Sequence, residues 1–298
     1  MLFLAINFLI VATVSILLNL FHVAPYLNRY GLDYQSLALF CLIWGISGAV
    51  ISLLISKQMA KWMMGVRIVN YNTNDHESKM LLEMVTTLSQ RAGLQNVPEV
   101  GIFESHQPNA FATGPSKRRS LVAVSRGLLN QLSKDEIEAV IGHEIAHIAN
   151  GDMVTMTLIQ GVVNAFVMFL ARIIAYAISG LGNRDENGRS KGSYLSYYLF
   201  TSLFEIVFMI AGSMVISYFS RRREFRADKG SRDLLGAEPM INALRKLQRI
   251  EGKSELSSDQ RSVAALMINR PSKQSGILNF FATHPPIEAR IARLQESI

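Results

Sequence analysis

Four stretches of this chain stay apolar on every side for the length of a membrane. Residues 2–21 and 36–56 contain no charged side chain, 154–181 are interrupted only by Arg172, and 194–219 only by Glu205. At a rise of ~1.5 Å per residue each can cross a hydrocarbon core ~30 Å thick. The pattern predicts about four transmembrane helices. The first reads as an uncleaved anchor: it lacks a basic leader, outruns a signal-peptide core and is soon followed by a second span.

Elsewhere the period changes. Ser133 followed three residues later by Glu136 has the form of a capping box, and Ile137, Val140, Ile141 and Ile145 then recur near helical spacing. An amphipathic helix is expected from there to Asn150-Gly151, where the chain can turn. Residues 109–113 and 120–125 are short β-type runs around a Gly-Pro-Ser-Lys-Arg-Arg turn, which predicts a hairpin. A further helix should run through Glu224 toward Gly236. A last one should start at Pro286 and dock Ile287, Ile291 and Leu294. The expected architecture is mainly α with a small β-sheet. It divides into two N-terminal transmembrane helices (1–56), a protease-like segment (57–153), two further transmembrane helices (154–219) and a closing segment (220–298).

Composition supports the membrane reading. Hydrophobic residues make up 49% and charged residues 18%, and the mean hydropathy is positive. The net charge of +7 reads as topology. Lys57, Lys61 and Arg67 follow the second span, and a basic cluster from Arg221 to Arg232 follows the fourth. The intervening loops carry little excess charge. The positive-inside rule then puts 57–153 and 220–298 in the cytoplasm. No recognition motif supports a nucleic-acid partner. Cys41, the single cysteine, lies within the second span, where it packs as a small apolar residue.

The chemistry concentrates in His143-Glu144-Ile145-Ala146-His147. On a helix, i and i+4 share a face, so the two imidazoles can bind one ion. A catalytic zinc keeps one coordination position for water, and Glu144 is placed to take that water's proton. The third ligand sorts the class. A metzincin needs Gly at 150 and His at 153, where this chain has Asn150 and Met153. A carboxylate is the natural alternative, and Glu224 with Asp228 again stands at i, i+4. Glu224 can ligate the ion while Asp228 orients a histidine. The same two acids would equally serve as a surface pair among the nearby arginines.

With His143-Glu144-Ile145-Ala146-His147 followed, after two apolar stretches, by Glu224-Phe225-Arg226-Ala227-Asp228, the chain resembles the HtpX-type membrane metallopeptidases. These are gluzincin relatives of the CAAX prenyl proteases. The resemblance covers nearly the entire chain. It implies one zinc ion per chain, Glu224 as third ligand and Asp228 as its support. It also implies an edge strand beside the site at residues 108–114, with Asn109 and Ala110 as substrate contacts. His284 would stabilise the oxyanion. The implied activity is endoproteolysis of misfolded or damaged membrane proteins under stress, in the bacterial cytoplasmic membrane, with self-cleavage on extraction. Two alternatives stand beside it: a processing peptidase for lipidated peptides, and a scaffold in which zinc is only structural. Arg172 and Glu205, each costly in hydrocarbon, are expected to pair across adjacent helices or to line a polar cavity.

Overall fold

The computed structural model describes Ile16 and residues 27–28, 31–181, 194–251 and 282–296. The expected first span, residues 2–21, lies outside these but for Ile16. The remaining three expected spans are each a long helix: α1 (Tyr34–Met63), α5 (Asp152–Leu181) and α6 (Tyr194–Leu235). Three helices among the described residues are thus long and apolar enough to cross a membrane. The other helices are α2 (His76–Arg91), α3 (Arg126–Gln131), α4 (Lys134–Asn150), α7 (Ala237–Glu251) and α8 (Ile287–Gln295). The strands β1 (Leu27–Asn28) and β2 (Gly31–Leu32) form a small hairpin of their own.

The chain separates into two compact units. The first combines Met1–Ser52 with Thr157–Ile216, the second Leu53–Met156 with Ser217–Ile298. In the first unit α1 and α5 touch at glycine. A Cβ on Gly45 would lie 2.6 Å from the Gly161 carbonyl oxygen and 2.8 Å from the Ala165 nitrogen, so only glycine fits there. The expected intramembrane pair is present: Arg172 Nη1 donates to Glu205 Oε1 at 2.5 Å. The same guanidinium donates to the Met168 carbonyl and sits 5.7 Å from the Phe40 ring centre.

In the second unit, β3 (Arg67–Ile68), β4 (Glu99–Phe103), β5 (Ala110–Thr113) and β6 (Leu121–Ser125) form one mixed sheet in the order β3-β4-β6-β5. β4 and β6 run parallel, and β5 and β6 are the expected antiparallel hairpin, registered Ala110 to Val124. β5 is therefore an edge strand.

Helix α4 is the centre of this unit. Its capping box is formed as expected, with Ser133 N donating to Glu136 Oε2 at 2.8 Å and the Ser133 side chain accepting from Glu136 N. The amphipathic pattern, however, is confined to the first turns, where Lys134 and Asp135 are exposed. Every residue from Ala139 to Ile148 is buried. The reason is that β5, α2 and α7 all pack on it, and a helix enclosed on all sides has no polar face to offer water. Met240, Ile241 and Leu244 of α7 and Ile287 and Leu294 of α8 form one cluster with Ala139 of α4. The docking face expected for the last helix is therefore present. Gly151 ends α4 in the left-handed region at φ 71°, ψ 29°, its N–H returning to the His147 and Ile148 carbonyls, and α5 begins at the next residue.

Candidate metal centre

Because α4 is capped at both ends and buried from Ala139 to Ile148, the side chains at 143 and 147 are held in fixed directions. His143 is 1% exposed and His147 8%. Their Nε2 atoms face each other at 3.1 Å. Both point at Glu224 of α6, with His143 Nε2 3.5 Å from Oε2 and His147 Nε2 3.3 Å from Oε1. The donor atoms of His143, His147 and Glu224 all lie within 4.8 Å of one another. Glu224 Oε1 is buried and makes no hydrogen bond, with His147 Nε2 at 3.3 Å and Arg223 Nε at 3.5 Å. A buried carboxylate oxygen left this way is costly unless a cation meets it. Two imidazole nitrogens and one such oxygen fit a divalent ion of the zinc type, with a position left over for water.

The far nitrogen of each imidazole is also fixed. His143 Nδ1 lies 2.9 Å from Asp228 Oδ1, and His147 Nδ1 2.7 Å from Asp152 Oδ2. A carboxylate at Nδ1 keeps the proton there and frees the Nε2 lone pair for a metal. Each carboxylate is held in turn by an arginine. Arg290 of α8, 1% exposed, donates to Asp228 through Nε at 2.8 Å and Nη2 at 2.5 Å. Arg226 Nη2 donates to Asp152 Oδ1 at 3.1 Å. His284 Nδ1 is 2.9 Å from Glu224 Oε2.

Charge follows from these contacts. Burial raises the Asp228 carboxyl, but the Arg290 guanidinium and the His143 hydrogen bond outweigh it and hold the group at about 2. Burial likewise disfavours a charged His147, yet the Glu224 and Asp152 carboxylates raise it to about 9. His143 is raised too, by Asp228 and Glu224 against its burial. Glu224 is held well below the usual carboxylate range, its burial being overcome by the surrounding histidines.

The profile of Peptidase family M48 matches residues 75–298. The chain belongs to peptidase family M48. It is therefore a metallopeptidase, and the sequence resemblance to HtpX-type proteins holds along its full length. The chain is 49% identical to a protease HtpX homolog of Albidiferax ferrireducens, over all of this chain and 98% of that one. It is 48% identical to one of Polaromonas naphthalenivorans with the same coverage, and 46% to one of Methylacidiphilum infernorum over 97% of this chain and 95% of the other. Among solved structures it is similar to Ste24p of S. mikatae, with a TM-score of 0.63 at 18% identity, which shows a shared fold. The likeness covers 97% of this M48 chain but only 63% of Ste24p.

The residues selected from sequence fall into two groups. His143, Glu144, His147, Glu224, Asp228 and His284 meet in one buried cluster or, for Glu144, stand beside it on α4. Asn109 and Ala110 lie at the start of the edge strand β5, which packs on α4, the helix of the two histidines, and both are 1% exposed. The Asn109 backbone is tied to Ser125, its N–H donating to Oγ at 2.8 Å and its carbonyl accepting from the Ser125 N–H. That bond sets the antiparallel alternation, which turns the backbone groups of Ala110 and Ala112 away from β6. Ala112 and Thr113, half-buried, are the more accessible part of the strand.

Asp152, Arg226 and Arg290 are not apparent from motif reading, yet two of them left a signal. Arg290 occupies the i+3 position of the apolar run Ile287, Ile291, Leu294, where an arginine is out of place unless a buried acid receives it. Asp152 is the first acidic residue after the helix break at Gly151.

Proposed function

We propose that this chain is a membrane-anchored zinc endopeptidase in which His143, His147 and Glu224 hold the ion and Glu144 is the general base. One observation carries the reading. Three converging donors have their imidazoles oriented by carboxylates, and a glutamate adjoins them in sequence, which makes a site with a free position. A structural zinc fills all four positions with protein ligands. When bound, zinc supplies Lewis-acid polarisation of the scissile carbonyl and lowers the pKa of water at the site.

The protein's own groups do the rest. Glu144 takes a proton from the attacking water and delivers it to the leaving amine nitrogen. His284 directs its Nδ1 proton to Glu224 Oε2, so it stabilises the carbonyl oxygen that gains charge as the imidazolium, whose Nε2–H then donates to that oxygen. Asp228 and Asp152 keep the two imidazoles in the tautomer the ion requires. The edge strand from Asn109 and Ala110 onward pairs with an extended peptide through backbone hydrogen bonds, which gives affinity with little sequence preference.

The distribution of Lys and Arg supports a topology with 57–153 and 220–298 on the cytoplasmic side, assembling one zincin-like protease domain anchored by four spans. Relatives named HtpX support an inner-membrane role in stress-related quality control, with misfolded membrane proteins as substrates and self-cleavage on extraction. The test is cleavage of an unfolded model protein by the detergent-purified chain, with and without added zinc. Glu144→Gln should abolish cleavage and retain zinc. His284→Phe should retain zinc and slow cleavage by ~10²-fold or more. A Glu144→Gln protein that cleaves normally would refute the assignment of the base, and normal cleavage by His284→Phe would remove that histidine from the mechanism.

A further inference from the structure

Large apolar side chains that stand exposed in the second unit are confined to two stretches among the described residues, 54–71 and 218–219. Most of these belong to the ends of α1 and to the apolar part of α6. Ile68 and Tyr71 do not. They lie past the end of α1, on β3 and just beyond it, with Ile68 38% and Tyr71 69% exposed. Just ahead of them Trp62 and Met63 close α1 at 66% and 63% exposure. Isolated exposed apolar residues need no explanation, but four within ten residues, next to an apolar helix, mark a contact surface.

Charge says what the surface meets. From Lys57 to Asn74 the chain has three basic residues and no acidic one. Lys57 and Lys61 share Glu99 at 2.7 and 2.6 Å, whereas Arg67 is exposed and makes no ion pair among the described residues. Tryptophan and tyrosine beside uncompensated basic charge is the composition of a membrane–water interface, where the rings sit among the headgroups and anionic lipid attracts the cation. Helix length agrees. α1 has 30 residues, ~45 Å at 1.5 Å each, against ~30 Å of hydrocarbon, so its end reaches the headgroup layer. α6 leaves its apolar stretch in the same order, with Tyr218 and Phe219 exposed, then Arg221, Arg222 and Arg223, and Arg222 over the Tyr218 ring.

We propose that residues 62–71 form a lipid-docking surface: Trp62, Met63, Ile68 and Tyr71 insert among anionic phospholipid headgroups, with Arg67 facing the phosphates. The inference rests on α1 crossing the bilayer. The surface would hold β3, and through it the sheet, at the headgroup layer by contacts beyond the helix itself.

The chain has two tryptophans, which makes depth measurable. Full-length Trp44→Phe protein in phosphatidylethanolamine/phosphatidylglycerol vesicles leaves Trp62 as sole tryptophan, excited selectively over the tyrosines, and Trp62→Phe leaves Trp44. Nitroxide on the lipid headgroup should quench Trp62 more than nitroxide near the chain end, and the order should reverse for Trp44. Adding Ile68→Ser and Tyr71→Ser to the Trp62-only chain should raise quenching by aqueous iodide and lower headgroup quenching. Trp62 open to iodide and quenched by neither lipid would overturn the proposal. Shielding from both that is lost on dilution with excess lipid would also overturn it, in favour of a second copy of the chain. No effect of the two serines would reduce the surface to the end of a span and remove Ile68 and Tyr71 from it. Trp44 escaping the chain-end label would instead sink the spanning of α1, while headgroup quenching of Trp62 is read separately.

Discussion

Each metal-directed imidazole is the end of a relay: Arg290 to Asp228 to His143, and Arg226 to Asp152 to His147. The relays differ in burial. Arg290 is enclosed, while the Arg226 side chain is 57% exposed, so solvent screens the second pair. Asp152 therefore contributes mainly through its bond to His147. Asp152→Asn should leave the fold intact and weaken zinc binding ~10–100-fold, read by competition with a chromophoric chelator. An unchanged affinity would make the contact incidental. Asp228 makes a different prediction. Its folded value, about 2, lies below the ordinary 3.8. A depressed carboxyl stabilises the fold above its unfolded value, and that stabilisation is lost as pH falls through the folded one. Thermal melts of wild type and Asp228→Asn should thus differ by a constant amount above pH ~4 and converge toward pH ~2. A gap that stays constant to pH 2 would show that the ion pair with Arg290 carries no differential stability.

At the scale of elements, one helix joins regions that sequence patterning separates. Apolar residues 194–219 and the acids Glu224 and Asp228 belong to a single helix of 42 residues, α6. Only the composition changes along it, from apolar with the single charge of Glu205 to arginine-rich. On the other side of the site, one glycine separates the α4 histidines from α5, and Asp152 is the first residue of that apolar helix. Inside the first unit α5 and α6 are joined by Arg172 and Glu205. Removing one partner leaves a charge without compensation in a poor solvent for it, a cost of ~3–5 kcal/mol in buried pairs. Arg172→Glu and Glu205→Arg should each reduce the amount of folded protein recovered from membranes, and the double exchange should restore it. Failure of the double exchange to rescue would argue that the two charges line a polar path and act separately.

For the molecule as a whole, what was legible in the sequence was whatever a local period or a short spacing encodes. The capping box, the hairpin, the apolar helices and the pair His143 and His147 are all of that kind. Enclosure was not legible. The isoleucines of α4 announce one buried face, and nothing local says that β5, α2 and α7 bury the others. Nor does local sequence bring Arg290 to Asp228, 62 residues away; only the packing of α8 on α4 and α7 does. That enclosure has a consequence for metal binding. With both imidazoles buried among three carboxylates, the ion-free site retains protons, and His147 stays protonated up to about pH 9. A metal requires the neutral ring, so loading must expel what the site holds. The Nε2 atoms face each other at 3.1 Å, so the two rings titrate as one coupled pair. Zinc binding near pH 7.5 should accordingly release at least about one proton, measured by calorimetry in buffers of differing ionisation enthalpy. Affinity should fall as pH falls, by about tenfold per pH unit for each proton expelled. Binding with no proton release would mean that the histidines are already neutral in the ion-free protein, and that the carboxylates around them answer to Arg290, Arg226 and Arg223 instead.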